Sequence, residues 1–526
     1  WKRGFDDVAD LENGYYSIEN VPGLPADLVG TLFRNGPGRF GVGGSRVRHP
    51  LDGDGLVVAV SFRGDGSVCV RHRLTQTQGL IRDNLEERMV SPGLFGTEPD
   101  AGGKLFDLRK AETKNTANAG ILWWKDRLLA LWPFGKPFEI DPGNLGTVIG
   151  NLDSGATDIG GMLLDNCPFG ATPRVCATTG SLVNFGQEPS ALGTKVSFFE
   201  VVPGEWRPKY RVPRKIQASG YTYFADFAVT PKWFVLAKPP LQSDGFAAAM
   251  GKRMPEVLSF DPSGGAELIF VGRDKQANQE VSVPIDGLVC EGFVNAHELD
   301  GGRVVVDVVA ADRWDPDRPL WETEDPVAGP RTRLVRYEVD LAKATYTQKT
   351  VFDRHLGFAT VNPQVVGKAH RYAFAAVGHE AIGAGPLAGV AKTDVESGEA
   401  DVWVPERTAF GGQPVFVPRE GREGEDDGYL LTLVLDGAAR RSEVVVLDAR
   451  KVSAGPVCRI PLEAPLPHGL AACWAPDYAP DEETMERKFV LLRMYSKKTA
   501  TWNAVNTSMS MIGTNPFFEK QGGKMR

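Results

Sequence analysis

Histidine and cysteine are scarce in this 526-residue chain, which has seven of the first and six of the second. The cysteines stand at 69, 167, 176, 290, 458 and 473, with no C-x-x-C pair and no zinc-finger spacing. They read as buried free thiols in a reducing, intracellular compartment. No apolar run approaches the ~18 residues that a membrane-crossing helix needs. Positive charge is not in excess: 59 Lys and Arg face 67 Asp and Glu, for a net charge of -8. That balance argues against nucleic acid as a partner, because phosphate binding requires clustered cations. The first residue is Trp1 rather than Met, consistent with a targeting segment removed upstream. Amphipathic helical patterns are rare too, the best lying around 83–89 and 481–487.

What the chain has in abundance is strand. GLVVAVSF (55–62), RLLALW (127–132), KVSFFEVV (195–202), WFVLA (233–237), RVVVDVVA (303–310), YLLTLVLD (429–436) and EVVVLDAR (443–450) are short, rich in β-branched or aromatic residues, and end near Gly, Pro, Asp or Asn. Sixty glycines and 37 prolines punctuate these runs evenly and mark no linker. Many short antiparallel strands without a boundary favour an all-β propeller over a string of sandwiches. No crisp repeat is visible, so the blades have diverged. A propeller brings far-apart segments to one axis, which suits a site assembled from the whole chain.

Several ordered motifs resemble the carotenoid cleavage oxygenase family, which includes carotenoid and stilbene dioxygenases and the retinoid isomerohydrolase. They are LFRNGPGRF (32–40), RHPLDGDGLV (48–57), KNTANAGILWWKDRLLALW (114–132), FEIDPGNLGTVIG (138–150), ADFAVTPKWFVLAKPP (225–240), GFVNAHELDGGRVVVDVV (292–309), QPVFVPREGREGEDDGYLLTLVLD (413–436) and PHGLAACW (467–474). The resemblance runs from about residue 10 to 480. It implies a seven-bladed β-propeller with a cap of loops and short helices over one face, as a single domain over 1–480. Residues 481–526 are then a C-terminal segment and extension.

In that family four histidines hold Fe(II) on the propeller axis, and neutral imidazoles leave open positions for oxygen. By the resemblance, the four positions here are Thr172 in ATPR, Ala225 in ADFAVT, Gly292 in GFVNAHE and Ala471 in GLAACW. The glutamates that orient such histidines correspond to Gly146, Gly357 and Gln413. The expectation is therefore a chain with no cofactor and no Fe(II). A weaker alternative is a soft metal or redox pair at Cys290 and Cys473, each two residues from one of those positions, because i and i±2 share a strand face. Their competing role is as small hydrophobes filling space.

Of the remaining polar groups, Glu291, Asp226 and His468 are the candidates for acid–base chemistry, since a carboxyl in an apolar tunnel has a raised pKa. Asp226, like Glu298, matches a residue kept for structure, and alternation points Glu291 away from Gly292. His49 and His297 are expected to be structural. The segment 239–256 carries Leu241, Phe246, Met250 and three alanines beside Lys252 and Arg253, a composition suited to peripheral membrane contact. The tail 507–526, with its Met and Phe residues, could dock on another protein.

The expected function is a pseudo-dioxygenase that binds a carotenoid or apocarotenoid, with redox-neutral chemistry on a xanthophyll: isomerisation, hydration, or opening of an epoxide or ring. The alternative is a non-catalytic pigment-binding or scaffold subunit of a membrane-associated complex. Polyene cleavage at a rebuilt metal site comes last. A plastid or thylakoid membrane would suit pigment handling.

Overall fold

Alternating and wholly apolar runs close into a ring because each sheet has two faces to bury and only other sheets to bury them against. The computed structural model describes residues 1–8, 14–100, 113–148, 163, 167–190, 192–203, 209–211, 214–274, 279–315, 329–380, 383–421, 424–476 and 478–480. The fold is a seven-bladed β-propeller, with 48% strand and 8% helix placing it among all-β proteins. Blade 1 is built from Tyr15–Ile18, Val29–Arg39, Asp54–Arg63, Val68–Leu74 and the late strand Ala471–Ala475. Blades 2 and 3 begin with Gly120–Trp124 and Arg174–Val175, blades 4 and 5 with Phe227–Val229 and Val289–Leu299. Blade 6 begins with Leu356–Thr360; blade 7 carries both Ala409–Gly411 and Val415–Pro418 on the central strand Gly428–Asp436. Every strand pairing within these sheets is antiparallel.

The seven strand runs legible in the sequence all lie in these blades, most of them lengthened by one or two residues at the ends. The apolar core follows the ring. Seven buried clusters each join one neighbouring pair of blades, from Phe33 and Leu128 between blades 1 and 2 to Leu32 and Val444 between blades 1 and 7. A fully buried Phe contributes about 1.5–3 kcal/mol, and Phe198 and Phe234 stack at 4.4 Å across blades 3 and 4. The ring closes where Ala471–Ala475 pairs with Val29–Arg39, Thr31 opposite Ala475 and Asn35 opposite Ala471.

An eighth cluster forms a cap: Met254, Val257 and Leu258 pack with Leu94, Phe95, Phe134, Tyr223 and Trp314. The helix expected around 83–89 spans Gln78–Glu86 instead. It starts earlier because the Thr77 side chain accepts a hydrogen bond from the Leu80 amide, and it stops where Glu87 turns left-handed at φ 51°. Residues 481–487 and 507–526 lie outside the described residues. Among the described residues no helix is long and apolar enough to cross a membrane.

Candidate functional site

The positions singled out from the motifs gather where the innermost strands of the blades touch. Thr172 and Ala225 each stand two residues before an inner strand, Arg174–Val175 and Phe227–Val229, while Gly292, Gly357 and Ala471 lie on theirs. Gln413 precedes Val415–Pro418 by two. Gly146 is not brought to the inner strands. It sits in a turn after Phe138–Ile140, its amide bonded to Asn144 Oδ1 at 2.8 Å.

Hydrogen bonds tie the inner segments of blades 3, 4 and 5 together. Arg174 Nη2 donates to Asp226 Oδ2 at 2.6 Å and to the Phe293 carbonyl at 2.7 Å, and the Phe293 amide donates to the same carboxylate oxygen at 2.8 Å. Oδ2 of Asp226 is thus committed to an ion pair and an amide, as a charge-assisted clamp, while Oδ1 is buried without a partner among the described residues. Thr172 Oγ1 is buried with no partner among the described residues. Across the ring, Gln413 Oε1 accepts from the Ala472 amide at 2.7 Å, linking blade 7 to the closing strand. Glu298 accepts from Thr230 Oγ1 at 2.8 Å and the Lys232 amide at 2.9 Å, the structural part foreseen for it.

Beside these inner strands lies a cavity of about 420 Å³. Its lining includes Glu291, Phe358, Gly412 and Leu470, the immediate neighbours of Gly292, Gly357, Gln413 and Ala471. Phe5, Leu387, Phe410 and Leu435 make much of its wall apolar. Phe358 holds φ 51°, an uncommon and costly conformation for a bulky residue, in a strand whose register slips between Gly357 and Thr360.

Glu291 overturns the alternation argument. The pairing with Arg303–Ala311 slips between Cys290 and Gly292, so Glu291 is the extra residue of a β-bulge and escapes the face that alternation assigns. It looks into the cavity. Its side chain keeps open surface toward the cavity although protein packs around it, and no hydrogen bond or ion pair holds it among the described residues. Burial therefore pushes its pKa above the ordinary carboxylate value.

His468 also lines the cavity, but its Nε2 is 3.0 Å from the Trp1 carbonyl, which can only accept, so Nε2 carries the proton. Burial first, partly offset by that bond, lowers its pKa to about 4. Two further histidines line the cavity: His49, which was expected to be structural, and His355, which sequence reasoning missed. His49 Nδ1 accepts from the Leu51 amide at 3.1 Å, its ring stacks on Phe95, and burial lowers its pKa to about 4. His355 Nδ1 lies 3.2 Å from the Thr332 amide and 3.0 Å from its hydroxyl. Sequence reasoning also missed Arg34, buried between the closing strand and the cavity. The sequence signal for it was a lone cation inside the apolar strand that opens LFRNGPGRF.

The two candidate cysteines sit in separate apolar clusters, Cys290 with the core of blades 4 and 5 and Cys473 with that of blades 1 and 2. Burial raises both thiols, Cys473 to about 12, so neither is a thiolate at neutral pH as placed. His297 packs edge-on to His370 at 6.1 Å, beside the buried Asp307–Arg336 pair.

A seven-bladed ring with a cavity against its inner strands defines a class of ligand-binding propeller, and comparison places the chain within it. The family described as RPE65, retinal pigment epithelial membrane protein, matches residues 12–476, and the chain belongs to this carotenoid cleavage oxygenase family. It is 33% identical over 490 residues to apocarotenoid-15,15'-oxygenase of Synechocystis sp., covering 90% of this chain and 96% of that one. Isoeugenol monooxygenase of Pseudomonas nitroreducens is 24% identical over 491 residues, covering 89% and 96%. The solved cobalt-substituted Synechocystis apocarotenoid oxygenase superposes with a TM-score of 0.82 at 32% identity, covering 90% of this chain and 98% of that one.

These findings correct one expectation. The family's members depend on Fe(II), and a similar protein has been solved with cobalt substituted in it, so the expectation of no cofactor and no Fe(II) does not stand. Among the described residues, however, no group of three or more His, Cys, Asp or Glu could hold a metal ion.

Proposed function

We propose that the cavity binds a carotenoid-derived polyene and that Glu291 is the acid–base group facing it. The observation that carries this reading is the unpaired Glu291 carboxyl facing a cavity whose wall is largely apolar. Family membership supports the ligand class, since similar proteins are named for apocarotenoid and 9-cis-epoxycarotenoid substrates. A carboxyl that holds its proton to higher pH than usual can deliver it to a polyene carbon. The resulting cation is delocalised, the central bonds lose double-bond character and rotate, and return of the proton to the carboxylate completes an isomerisation. Delivery to an epoxide oxygen instead opens the C–O bond, and water adds to the cation and gives its extra proton to the carboxylate, which leaves a diol.

Oxidative cleavage is the second reading, favoured by the names of the relatives, which are oxygenases. A pigment carrier without chemistry is the third, and it fits the same cavity. The segment 239–256 fits peripheral membrane contact in each case. There Phe246 and Met250 are 77% and 66% exposed, beside Lys252, on a short helix capped by Asp244.

Incubating the protein with an apocarotenal and with an epoxy-xanthophyll under labelled oxygen, then resolving the products by chromatography and mass spectrometry, separates the three. Isomers or diols without label, lost in Glu291→Gln, support the proposal. Shortened aldehydes carrying label establish cleavage, and recovery of unaltered, bound pigment establishes the carrier.

A further inference from the structure

The buried guanidinium of Arg34 has no carboxylate to answer it. Arg34 is 7% exposed, lines the cavity, and forms no ion pair with any described residue. One of its amino groups donates to the Pro467 carbonyl. No other hydrogen bond of the guanidinium is made with the described residues, and the side chain forms part of the cavity wall. Gly469 is shaped around it: a Cβ there would lie 2.1 Å from Arg34 Nε and 2.6 Å from Nη2. Arg34 projects from the strand Val29–Arg39, and Gly469 follows His468 on the approach to the closing strand Ala471–Ala475. Closing the ring is therefore what assembles this cradle. The other ionisable cavity groups do not neutralise it. Glu291 forms no ion pair with it, Asp315 is exposed at the rim, and His49, His355 and His468 all have lowered pKa values that keep them neutral. Burial without a counter-charge also lowers the Arg34 pKa, to about 10, which leaves it a cation at neutral pH.

A desolvated cation that fronts an apolar cavity is costly unless an anion completes it, and guanidinium geometry suits a carboxylate held by two parallel bonds. Resting on the reading of the cavity as a polyene site, we infer that Arg34 anchors the terminal carboxylate of the bound ligand. The preferred substrate class is then an apolar chain acid, the oxidised end-form of an apocarotenoid, rather than the aldehyde or alcohol. An anchored end would also fix which carbon of the chain stands before Glu291.

The test compares all-trans-retinoic acid with all-trans-retinol as probes of the full chain, by quenching of tryptophan fluorescence at pH 8 and low salt. The acid is expected to bind at least ~10-fold more tightly than the alcohol. Arg34→Met should reduce that ratio to about 1 by weakening the acid alone, while Arg34→Lys should retain part of it. The contrast within the unaltered protein stands even if the methionine variant does not fold. Equal binding of acid and alcohol overturns the inference and leaves the polyene reading intact, and so does equal weakening of both by Arg34→Met. Binding of neither probe overturns the polyene reading and the inference with it.

Discussion

At Glu291 a single inserted residue decides which chemistry the cavity can host. The bulge between Cys290 and Gly292 turns the carboxyl inward, and enclosure then favours its neutral form. The linkage to stability has a definite sign. A carboxyl whose folded pKa is raised stabilises the native state fully below the unfolded value of about 4.3, and that contribution is lost as pH rises through the folded pKa. Glutamine cannot ionise, so Glu291→Gln should gain stability relative to the unaltered protein on going from pH 4 to pH 8. Urea midpoints at the two pH values measure this directly. A difference that does not change with pH would mean that water reaches the carboxyl freely. Neither this residue's direction nor the part played by Arg34 could be read from the chain. Alternation assumes an unbroken ladder, and the Arg34 cradle pairs residues 34–36 with 467–472, which nothing local connects.

Elements were far more legible than sites. Val304, Val306 and Val308 face one inter-blade cluster and Val309 the next, so RVVVDVVA reads as a strand buried on both faces whatever its neighbours are. Helices were misplaced or missed because they are short and owe their ends to caps. The helix Gly245–Ala249 exists largely because Asp244 accepts from the Phe246 and Ala247 amides, both at 2.9 Å. Its exposed Phe246 and Met250 contribute nothing to the core, while Ala247 and Ala248 pack on the cap cluster. Inserting one such side chain into lipid is worth about 1.5–3 kcal/mol. Phe246→Ser with Met250→Ser should therefore weaken binding to phosphatidylcholine–phosphatidylglycerol vesicles by 10-fold or more, without shifting the melting temperature. Cosedimentation gives the partition coefficient, and unchanged partition would remove this helix from the membrane proposal.

The whole molecule is held by its closure. Blade 1 takes its innermost strand from residues 471–475 and the rest from residues 15–74, so the ring is complete only when the two ends of the domain pair. Trp474 sits opposite Leu32, with its ring 5.8 Å from Phe62, and packs onto the cluster shared by blades 1 and 7. On the other face Phe33 stacks on Trp123 at 5.7 Å, joining blade 2 to the same strand pair. Because each inter-blade cluster depends on both of its blades, loosening this seam exposes two clusters at once. Trp474→Ala should cost about 3 kcal/mol, the lower end for losing a large aromatic because the ring is only partly buried. The form of the loss is the sharper readout. If closure couples the blades, calorimetry will show one transition at a lower temperature and a proportionate fall in retinoid affinity, since Arg34, Gly469 and Leu470 flank the seam. If blade 1 instead melts alone ahead of an unchanged main transition, the ring does not depend on its seam. The cavity would then have to be held by the inner strands of blades 5, 6 and 7.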